Sequence, residues 1–187
     1  MQPGFVDEVP GPHAVPANTL RAMDAGRVEL RAITADNFDA VIALKVAEDQ
    51  CDFLDSNVES IAWAYVAPEC RPVVIYEDEI PVGFATFGYI PADGRCWISH
   101  LMVDESHQGR GLGSRALEQL LDRMSAESGG GRILVAVNPD NDTALRLYET
   151  FGFCDTGRRQ NRELILCRPP IHEEPESEQK TDPPADG

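Results

Sequence analysis

The stretch 97–153 decides how this chain folds, and its central segment is Gln108-Gly109-Arg110-Gly111-Leu112-Gly113. The mostly apolar run 96–103 before it predicts a buried strand, and the apolar spacing over 112–126 predicts a helix after it. Glycines at this spacing let the main chain approach a ligand closely, and the helix dipole attracts an anion to the same place. The segment therefore predicts a phosphate or pyrophosphate site at the start of a helix.

Two nucleotide-binding patterns do not fit these glycines. A P-loop needs a Lys directly after its last glycine, and none follows here. A dinucleotide fingerprint needs the spacing G-x-G-x-x-G early in a βαβ unit, whereas this chain has G-x-G-x-G after a predicted hairpin. On these residues alone, a plain glycine-rich turn ahead of a helix remains the alternative.

A second motif follows about 25 residues later. The apolar run 133–137 predicts a buried parallel strand, and after it come Asn138, Asn141, Ala144, Tyr148 and the sequence Phe-Gly-Phe at 151–153. The pair Q-x-x-G-x-G and N-x-x-A-x-x-x-Y-x-x-F-G-F resembles the GNAT superfamily of acetyl-CoA-dependent N-acetyltransferases. The resemblance extends over residues 28–167.

The alternation of predicted elements indicates an α/β domain with a mixed sheet. Predicted strands cover 28–32, 73–76, 82–89, 96–103, 133–137 and 163–167, and predicted helices cover 36–48, 56–66, 112–126 and 142–150. Thr34 is the expected cap of the first helix, Ser56 and Glu59 form a capping box for the second, and Pro68 and Pro72 are expected to end that helix. The resemblance implies a mostly antiparallel sheet of six to seven strands, with a splayed parallel pair and about four flanking helices.

The resemblance also implies how acetyl-CoA binds as co-substrate. The pantetheine is expected between strands 101–103 and 133–137, the pyrophosphate on the main-chain amides of the glycine segment, and the side chains of Arg110 and Arg115 beside the phosphates. The expected cofactor-binding residues are Leu101, Met102, Val103, Gln108, Gly109, Arg110, Gly111, Leu112, Gly113, Ser114, Asn138, Asn141 and Ala144.

Tyr148 is the expected general acid, because a phenol near the sulfur can protonate the leaving thiolate, which is the role the family gives this tyrosine. Its spacing also suits a core tyrosine on an amphipathic helix. Related eukaryotic polyamine enzymes have a Glu where this chain has Ser99, so His100 is the expected base. His100 could instead be a strand histidine that faces a helix, and Asp52, or Glu77 or Asp78 through water, are the other candidates for the base.

The segment before residue 66 resembles bacterial diamine, spermine and spermidine acetyltransferases, in 46–50, Asp52-Phe53, Ser56-Asn57 and 60–65. Five acids and no base lie between 48 and 59, and an acidic rim attracts a polycation. Asp49, Asp52 and Asp55 are the expected substrate-binding residues, unless the run is only a solvated surface. Alternatives are another amine (a protein N-terminus, lysine, amino acid or aminoglycoside) or a non-catalytic acyl-CoA-binding regulatory module.

Composition limits the partners and the compartment. The chain has 187 residues with 32 acids and 16 bases, so its formal net charge is −16, which disfavours nucleic acid and anionic lipid. No apolar run is long enough to span a membrane. Scattered histidines and five widely spaced cysteines predict no metal site and a reducing cytoplasm. We expect a flexible arm over 1–26, the catalytic domain over 27–168 and a disordered acidic tail over 169–187, and the resemblance implies a homodimer.

Overall fold

The computed structural model describes residues 26–90 and 94–170. The predicted arm up to residue 25, the turn residues 91–93 and the predicted tail from residue 171 lie outside the described residues. The strands are β1 (Val28–Ala32), β2 (Cys70–Glu77), β3 (Ile80–Ile90), β4 (Arg95–Val103), β5 (Ile133–Val137), β6 (Cys154–Gln160) and β7 (Glu163–Arg168). The helices are α1 (Phe38–Ala43), α2 (Asn57–Val66), α3 (Leu112–Ser128) and α4 (Asp142–Thr150), with two 3₁₀ helices, Glu48–Phe53 and Glu105–His107.

The seven strands form one sheet in the order β1-β2-β3-β4-β5-β7-β6. Every neighbouring pair is antiparallel except β4 and β5, which run parallel. This arrangement confirms the predicted mixed, mostly antiparallel sheet with a single parallel pair among the described strands.

The parallel pair stays together for only part of its length. Cys96, Trp97 and Ile98 on β4 pair with Ile133, Leu134 and Val135 on β5, and within the described ranges the register goes no further. On its other side, β4 has a bulge, because Thr86 faces His100 whereas Phe87 faces Ile98, which leaves Ser99 without a counterpart. The two strands therefore separate from the level of Ser99 onward.

Helices cover both faces of the sheet. On one face α3 buries all the apolar positions that its 3.6-residue period predicts, namely Leu112, Ala116, Leu117, Leu120, Leu121 and Met124, and these pack with Tyr148 and Phe153 in one core cluster. On the other face Val41 packs with Val74, Phe84 and Met102 in a second cluster. The glycine segment thus leads into the N-terminus of a helix whose apolar face is packed in the core.

The first predicted helix is wrong in extent. We expected 36–48, but α1 ends at Ala43, and the chain continues through an extended Leu44 to the separate 3₁₀ helix Glu48–Phe53. The physical reason is tertiary, because the N–H of Lys45 donates to Asp104 Oδ2 (3.1 Å) and its carbonyl accepts from the N–H of Glu105 (2.8 Å). The main chain at residue 45 therefore bonds to the loop after β4 rather than to the preceding helical turn.

The expected caps are partly correct. Ser56 and Glu59 form the predicted capping box of α2. Thr34 does not cap α1; Asn37 occupies the N-cap position, and its Oδ1 accepts from the N–H of Thr34 (2.8 Å). Pro72 lies inside β2. At this position β2 pairs only with β3, because its pairing with β1 begins one residue later, at Val73.

No pattern in the sequence predicted β6. Every residue of this strand is exposed, so no apolar alternation marks it, and it lies at the edge of the sheet beside β7. Among the described residues, no helix combines the length and the apolar character that a membrane span requires.

Candidate active site

Two clefts adjoin along β4. The first, which we call the glycine-loop cleft, has a volume of about 490 Å³ and lies between the end of β4, the loop 108–114 and the start of α4. The second, which we call the acidic cleft, has a volume of about 750 Å³ and is bordered by residues 97–100 of β4. Phe53 and Leu54 line both clefts, so a molecule in one lies close to a molecule in the other.

The glycine-loop cleft contains most of the residues expected to bind the cofactor. All of them line it except Arg110 and Asn138; those present are Leu101, Met102, Val103, Gln108, Gly109, Gly111, Leu112, Gly113, Ser114, Asn141 and Ala144. Residues that are distant in the sequence thus line one cleft.

The loop backbone has the conformation that only glycine adopts easily. Gly109 and Gly111 both have φ of +74°, and a Cβ built on either would meet no atom within 4 Å. Backbone conformation, not crowding, therefore requires glycine at these two positions. Gly111 is the N-cap of the 17-residue helix α3, so the positive end of this helix faces the cleft.

The side chain of Gln108 holds the loop against β4, because its Nε2 donates to the carbonyl of Val103 at 3.0 Å. The expected role of Gln108 rested only on its main-chain amide. In addition, the side-chain hydrogen bond holds the first residue of the loop next to β4, the strand that borders the cleft.

The guanidinium groups of Arg110 and Arg115 have a partner within the protein. Arg110 Nη2 lies 2.7 Å from Glu77 Oε2, and Arg115 Nη2 lies 3.4 Å from Glu77 Oε1. Glu77 is 8% exposed, so this carboxylate ties β2 to the loop and to α3. Glu77 and Asp78, the candidate bases that were to act through water, are not among the described residues that border the acidic cleft. Asp78 Oδ1 accepts from the N–H of Arg27 (2.9 Å).

The two asparagines shape the turn between β5 and α4. Asn141 Oδ1 accepts from the N–H of Ala144 (3.0 Å) and caps α4. Asn138 Oδ1 accepts from the N–H of Asp140 (3.0 Å), which closes the turn. Asn141 combines this cap with a position on the wall of the cleft, whereas Asn138 is not among the residues that line it.

Tyr148, the expected general acid, packs in the core of the domain and is not among the described residues that border either cleft. Its ring meets Phe153 edge to face, with centroids 5.2 Å apart, and its residue is 5% exposed. Burial raises the pKa of Tyr148 above that of an ordinary phenol, so the hydroxyl stays protonated. Gly152, with φ of +82°, follows the end of α4 and turns the chain so that Phe153 returns to this ring.

The acidic cleft is lined by four carboxylates, those of Asp52, Asp55, Glu69 and Glu163, and no Lys or Arg is among the described residues that border it. Trp63 and Trp97 also line it, and aromatic faces attract cations. Asp49, the third acid expected to bind substrate, is exposed and does not border this cleft.

Glu163 belongs to this site although the sequence did not indicate it. It is the first residue of β7, and burial together with the negative charge of Asp55 raises the pKa of its carboxyl. A lone Glu at the start of a strand carries no motif. Only the strand order, with β7 next to β5, brings it to the cleft.

His100 also lines the acidic cleft, but as a buried neutral group. It is 4% exposed, its Nδ1 lies 3.1 Å from Ser60 Oγ, and its ring meets Phe84 edge to face at 5.1 Å. Burial lowers the pKa of His100 to about 4, so the imidazole is uncharged at pH 7. Its Nε2 is buried and has no hydrogen-bond partner in the described part of the chain.

Comparisons with known proteins agree with this arrangement. The sequence profile of the acetyltransferase (GNAT) family matches residues 28–153. A spermine/spermidine N(1)-acetyltransferase of Bacillus subtilis (strain 168) is 31% identical over 148 residues, which cover 75% of this chain and 97% of that protein. An L-2,4-diaminobutyric acid acetyltransferase of Streptomyces coelicolor is 27% identical over 147 residues, which cover 77% of this chain and 85% of that protein.

A solved structure shares the fold at lower identity. The spermidine N-acetyltransferase from Vibrio cholerae, in complex with CoA and spermine, superposes with a TM-score of 0.60 and 16% identity, covering 75% of this chain and 92% of that chain.

Proposed function

The chain belongs to the GNAT family of acetyltransferases, and we propose that this acetyl-CoA-dependent N-acetyltransferase acetylates a primary amine of a polyamine such as spermidine or spermine. The observation that carries the proposal is the acidic cleft beside the glycine-loop cleft, with four carboxylates and no Lys or Arg among the described residues that border it. A polyamine bears several ammonium groups at pH 7, so this field draws it in and favours it over neutral or acidic acceptors.

The names of the related proteins support an acceptor with more than one amino group. The Bacillus relative is a spermine/spermidine acetyltransferase, and the Streptomyces relative acts on L-2,4-diaminobutyric acid. In such an acceptor one amine reacts while another remains charged, and a charged amine is what Asp52, Asp55 and Glu69 can bind.

Acetyl-CoA is proposed to occupy the glycine-loop cleft. The main-chain amides of residues 108–114 bind the pyrophosphate, and the polar main-chain groups of Leu101 and Val103 bind the pantetheine as a neighbouring strand would. The amide near Met102 polarises the thioester carbonyl and stabilises the charge that develops on its oxygen. Because the guanidinium of Arg110 is paired with Glu77, Arg110 contributes its main-chain amide.

The reaction follows from the two clefts being adjacent. With both substrates bound, the neutral amine nitrogen attacks the thioester carbon, a C–N bond forms and the C–S bond breaks. A base in the acidic cleft first takes the proton that turns the bound ammonium into a neutral amine, and the nitrogen releases a second proton to water as the amide forms. The departing thiolate gains one proton from Tyr148, which water reprotonates before the next turnover. The products are the N-acetyl amine and free CoA.

Tyr148 is proposed as the acid because of its place on α4. Ala144, which lines the glycine-loop cleft, lies one helical turn earlier on the same side of the helix. Burial raises the pKa of the Tyr148 phenol, so the hydroxyl is protonated at every working pH, and it is a weaker acid than an exposed phenol.

Besides Asp52, which the sequence analysis named and which borders the acidic cleft, two groups are candidates for the base. The imidazole of His100 is neutral at pH 7 and so can accept a proton, although a pKa of about 4 makes it a weak base. Glu163 is the second candidate, favoured by the raised pKa of its carboxyl and by its position next to Asp55. Replacing each by Gln separates them, because the variant that lacks the base loses kcat across the pH range and the other keeps the wild-type pH profile.

The proposal is tested by incubating the enzyme with acetyl-CoA and single acceptors while free thiol is measured. The panel contains spermidine, spermine, putrescine, L-2,4-diaminobutyrate, a lysine peptide and an aminoglycoside. We expect kcat/KM to be highest with the polyamines. Preferential turnover of the peptide or the aminoglycoside would contradict the proposed acceptor.

The catalytic domain is proposed to span 27–168 and to act in the cytoplasm as a homodimer. All five cysteines are free thiols, which suits a reducing compartment. Val58, Tyr65 and Val66 on α2 are large apolar side chains left exposed in one chain, and a second copy could cover them.

A further inference from the structure

The segment that joins the two clefts is weakly held by its own structure. The 3₁₀ helix Glu48–Phe53 has its own short-range bonds, such as the one from the N–H of Gln50 to the carbonyl of Ala47 (2.9 Å), but it has no side-chain cap and no buried residue. This helix and the residues after it nevertheless supply Asp52, Leu54 and Asp55 to the acidic cleft. The position of that wall must therefore depend on contacts with the rest of the domain.

One such contact reaches directly into the cofactor loop. Gln50 Nε2 donates to Gln108 Oε1 (3.2 Å), and Gln108 Nε2 donates to Gln50 Oε1 (2.8 Å). Both residues line the glycine-loop cleft, and they are 58 positions apart in the sequence. Because Gln108 Nε2 also donates to the carbonyl of Val103, the reciprocal amide pair links the 3₁₀ helix, the loop and β4.

Other attachments flank this pair. Val46 and Leu54, on either side of the 3₁₀ helix, pack against the second core cluster. Lys45 is joined to Asp104 and Glu105 through the main-chain bonds described above and an ion pair between Lys45 Nζ and Glu105 Oε1 at 2.9 Å. These bonds anchor the chain three residues before the 3₁₀ helix begins. The Gln50–Gln108 pair joins the 3₁₀ helix itself to the cofactor loop, so a change in the loop acts directly on this helix.

We propose that Gln50 is a positioning residue that couples the two clefts, so that CoA or acetyl-CoA bound on the loop fixes the 3₁₀ helix and preforms the wall of the acidic cleft. The inference rests on the proposed placement of acetyl-CoA in the glycine-loop cleft. By linkage, an amine in the acidic cleft then tightens the binding of the cofactor by the same factor by which the cofactor tightens the binding of the amine. Gln50 touches neither reacting atom in this scheme and acts through Gln108.

The test is hydrogen exchange of the full chain with and without saturating CoA, which needs no knowledge of the acceptor. In the wild-type protein we expect CoA to slow exchange in both 108–114 and 48–55, the latter by about fivefold or more. Gln50→Met keeps the length of the side chain but removes the amide. In this variant CoA should still slow exchange in 108–114, whereas the slowing in 48–55 should fall below about twofold.

The matched control is Gln119→Met, which removes a different side-chain hydrogen bond, from Gln119 to the carbonyl of Val28, outside both clefts. It should behave like the wild-type protein. Gln50→Ala should reproduce Gln50→Met, and circular dichroism establishes that each variant is folded.

The outcomes separate this inference from the proposed function. If CoA slows exchange in 48–55 equally in Gln50→Met and in the wild-type protein, the coupling through Gln50 is overturned, while the proposed function is unaffected. Loss of the slowing in 108–114 in Gln50→Met also overturns it, since Gln50 would then belong to the cofactor site itself. If CoA slows 108–114 in no variant, the placement of the cofactor is wrong, and the coupling is wrong with it.

Discussion

Ile98 on β4 faces Val135 on β5, and this is the last pair of the parallel register before the two strands separate. The next residue of β4, Ser99, is the bulge that also shifts the register with β3. One local irregularity therefore coincides with the opening of the sheet. In our account the pantetheine of acetyl-CoA fills this opening, and the glycine loop binds its pyrophosphate.

The glycine loop gives the first prediction. Gly111→Ala forces a residue with a side chain into φ of +74°, which costs about 1–2 kcal/mol. We expect the Kd for acetyl-CoA to rise about tenfold, because the loop leaves the conformation that directs its amides at the cleft. Isothermal titration calorimetry measures this change.

The control for this variant is Gly129→Ala. Gly129 caps the far end of the same helix with φ of +66°, so the strain is similar and the loss of Tm should be comparable. An acetyl-CoA affinity that is equally impaired in both variants would mean that general destabilisation explains the effect.

Local patterns allowed much of this fold to be predicted. The loop, α3, β5 and α4 could be read from the sequence because glycine spacing, helical periodicity and a short apolar run are local signals. The end of α1 could not, because it depends on bonds from Lys45 to residues nearly 60 positions later. β6 could not either, since an exposed edge strand needs no apolar alternation.

In the site, too, the residues with local sequence signals could be predicted, and those placed by tertiary contacts could not. The Q-x-x-G-x-G and N-x-x-A-x-x-x-Y motifs predicted one cofactor site. Gln108, Asn141 and Ala144 do line one cleft, whereas Tyr148 does not border it. Glu163 and Gln50 went unnoticed because their positions depend on strand order and on a contact between segments distant in sequence. The partner of Arg110 was missed for the same reason, since Glu77 lies on a strand more than 30 residues before it.

Tyr148→Phe tests the proposed acid. Removing one hydroxyl from a ring that packs against Phe153 leaves the shape of the core intact, so the fold and the KM for acetyl-CoA should change little. We expect kcat to fall by about 100-fold or more if the phenol protonates the thiolate. The control is Tyr65→Phe, at a tyrosine that is 90% exposed, and an undiminished kcat in Tyr148→Phe would refute the assignment.

The acidic cleft gives a prediction about salt. In the double variant Asp52→Asn, Asp55→Asn, two of the four carboxylates are neutral, so the attraction for a polycation weakens. The KM for spermidine should rise about tenfold, and its increase with ionic strength should become shallower, while the KM for acetyl-CoA stays constant. Steady-state kinetics at several salt concentrations provide the measurement.

The control here is Asp122→Asn, which neutralises an exposed carboxylate on α3, outside both clefts. It changes the net charge without changing the cleft. If Asp122→Asn raises the KM for spermidine as much as the double variant does, the effect comes from the overall charge of the protein and not from the acidic cleft.

Buried His100 gives a prediction about stability. Its pKa is about 4 in the folded protein against 6.5 ordinarily, so between these pH values the unfolded chain binds a proton that the folded chain does not. The free energy of unfolding therefore falls as pH falls through this window, by about 2 kcal/mol from pH 7 to pH 5. Chemical denaturation of wild type and His100→Gln at both pH values measures the difference. The variant should lose correspondingly less stability, and an identical loss would show that His100 titrates normally in the folded state.

A crystal structure of the enzyme with bound CoA tests the central claim most directly. We predict the pantetheine between Leu101 and Val137, as an added strand in the gap that opens beyond Ile98 and Val135, with pyrophosphate oxygens within hydrogen-bonding distance of the main-chain N–H groups of residues 108–114. The account is contradicted if protein side chains fill that gap and CoA binds elsewhere.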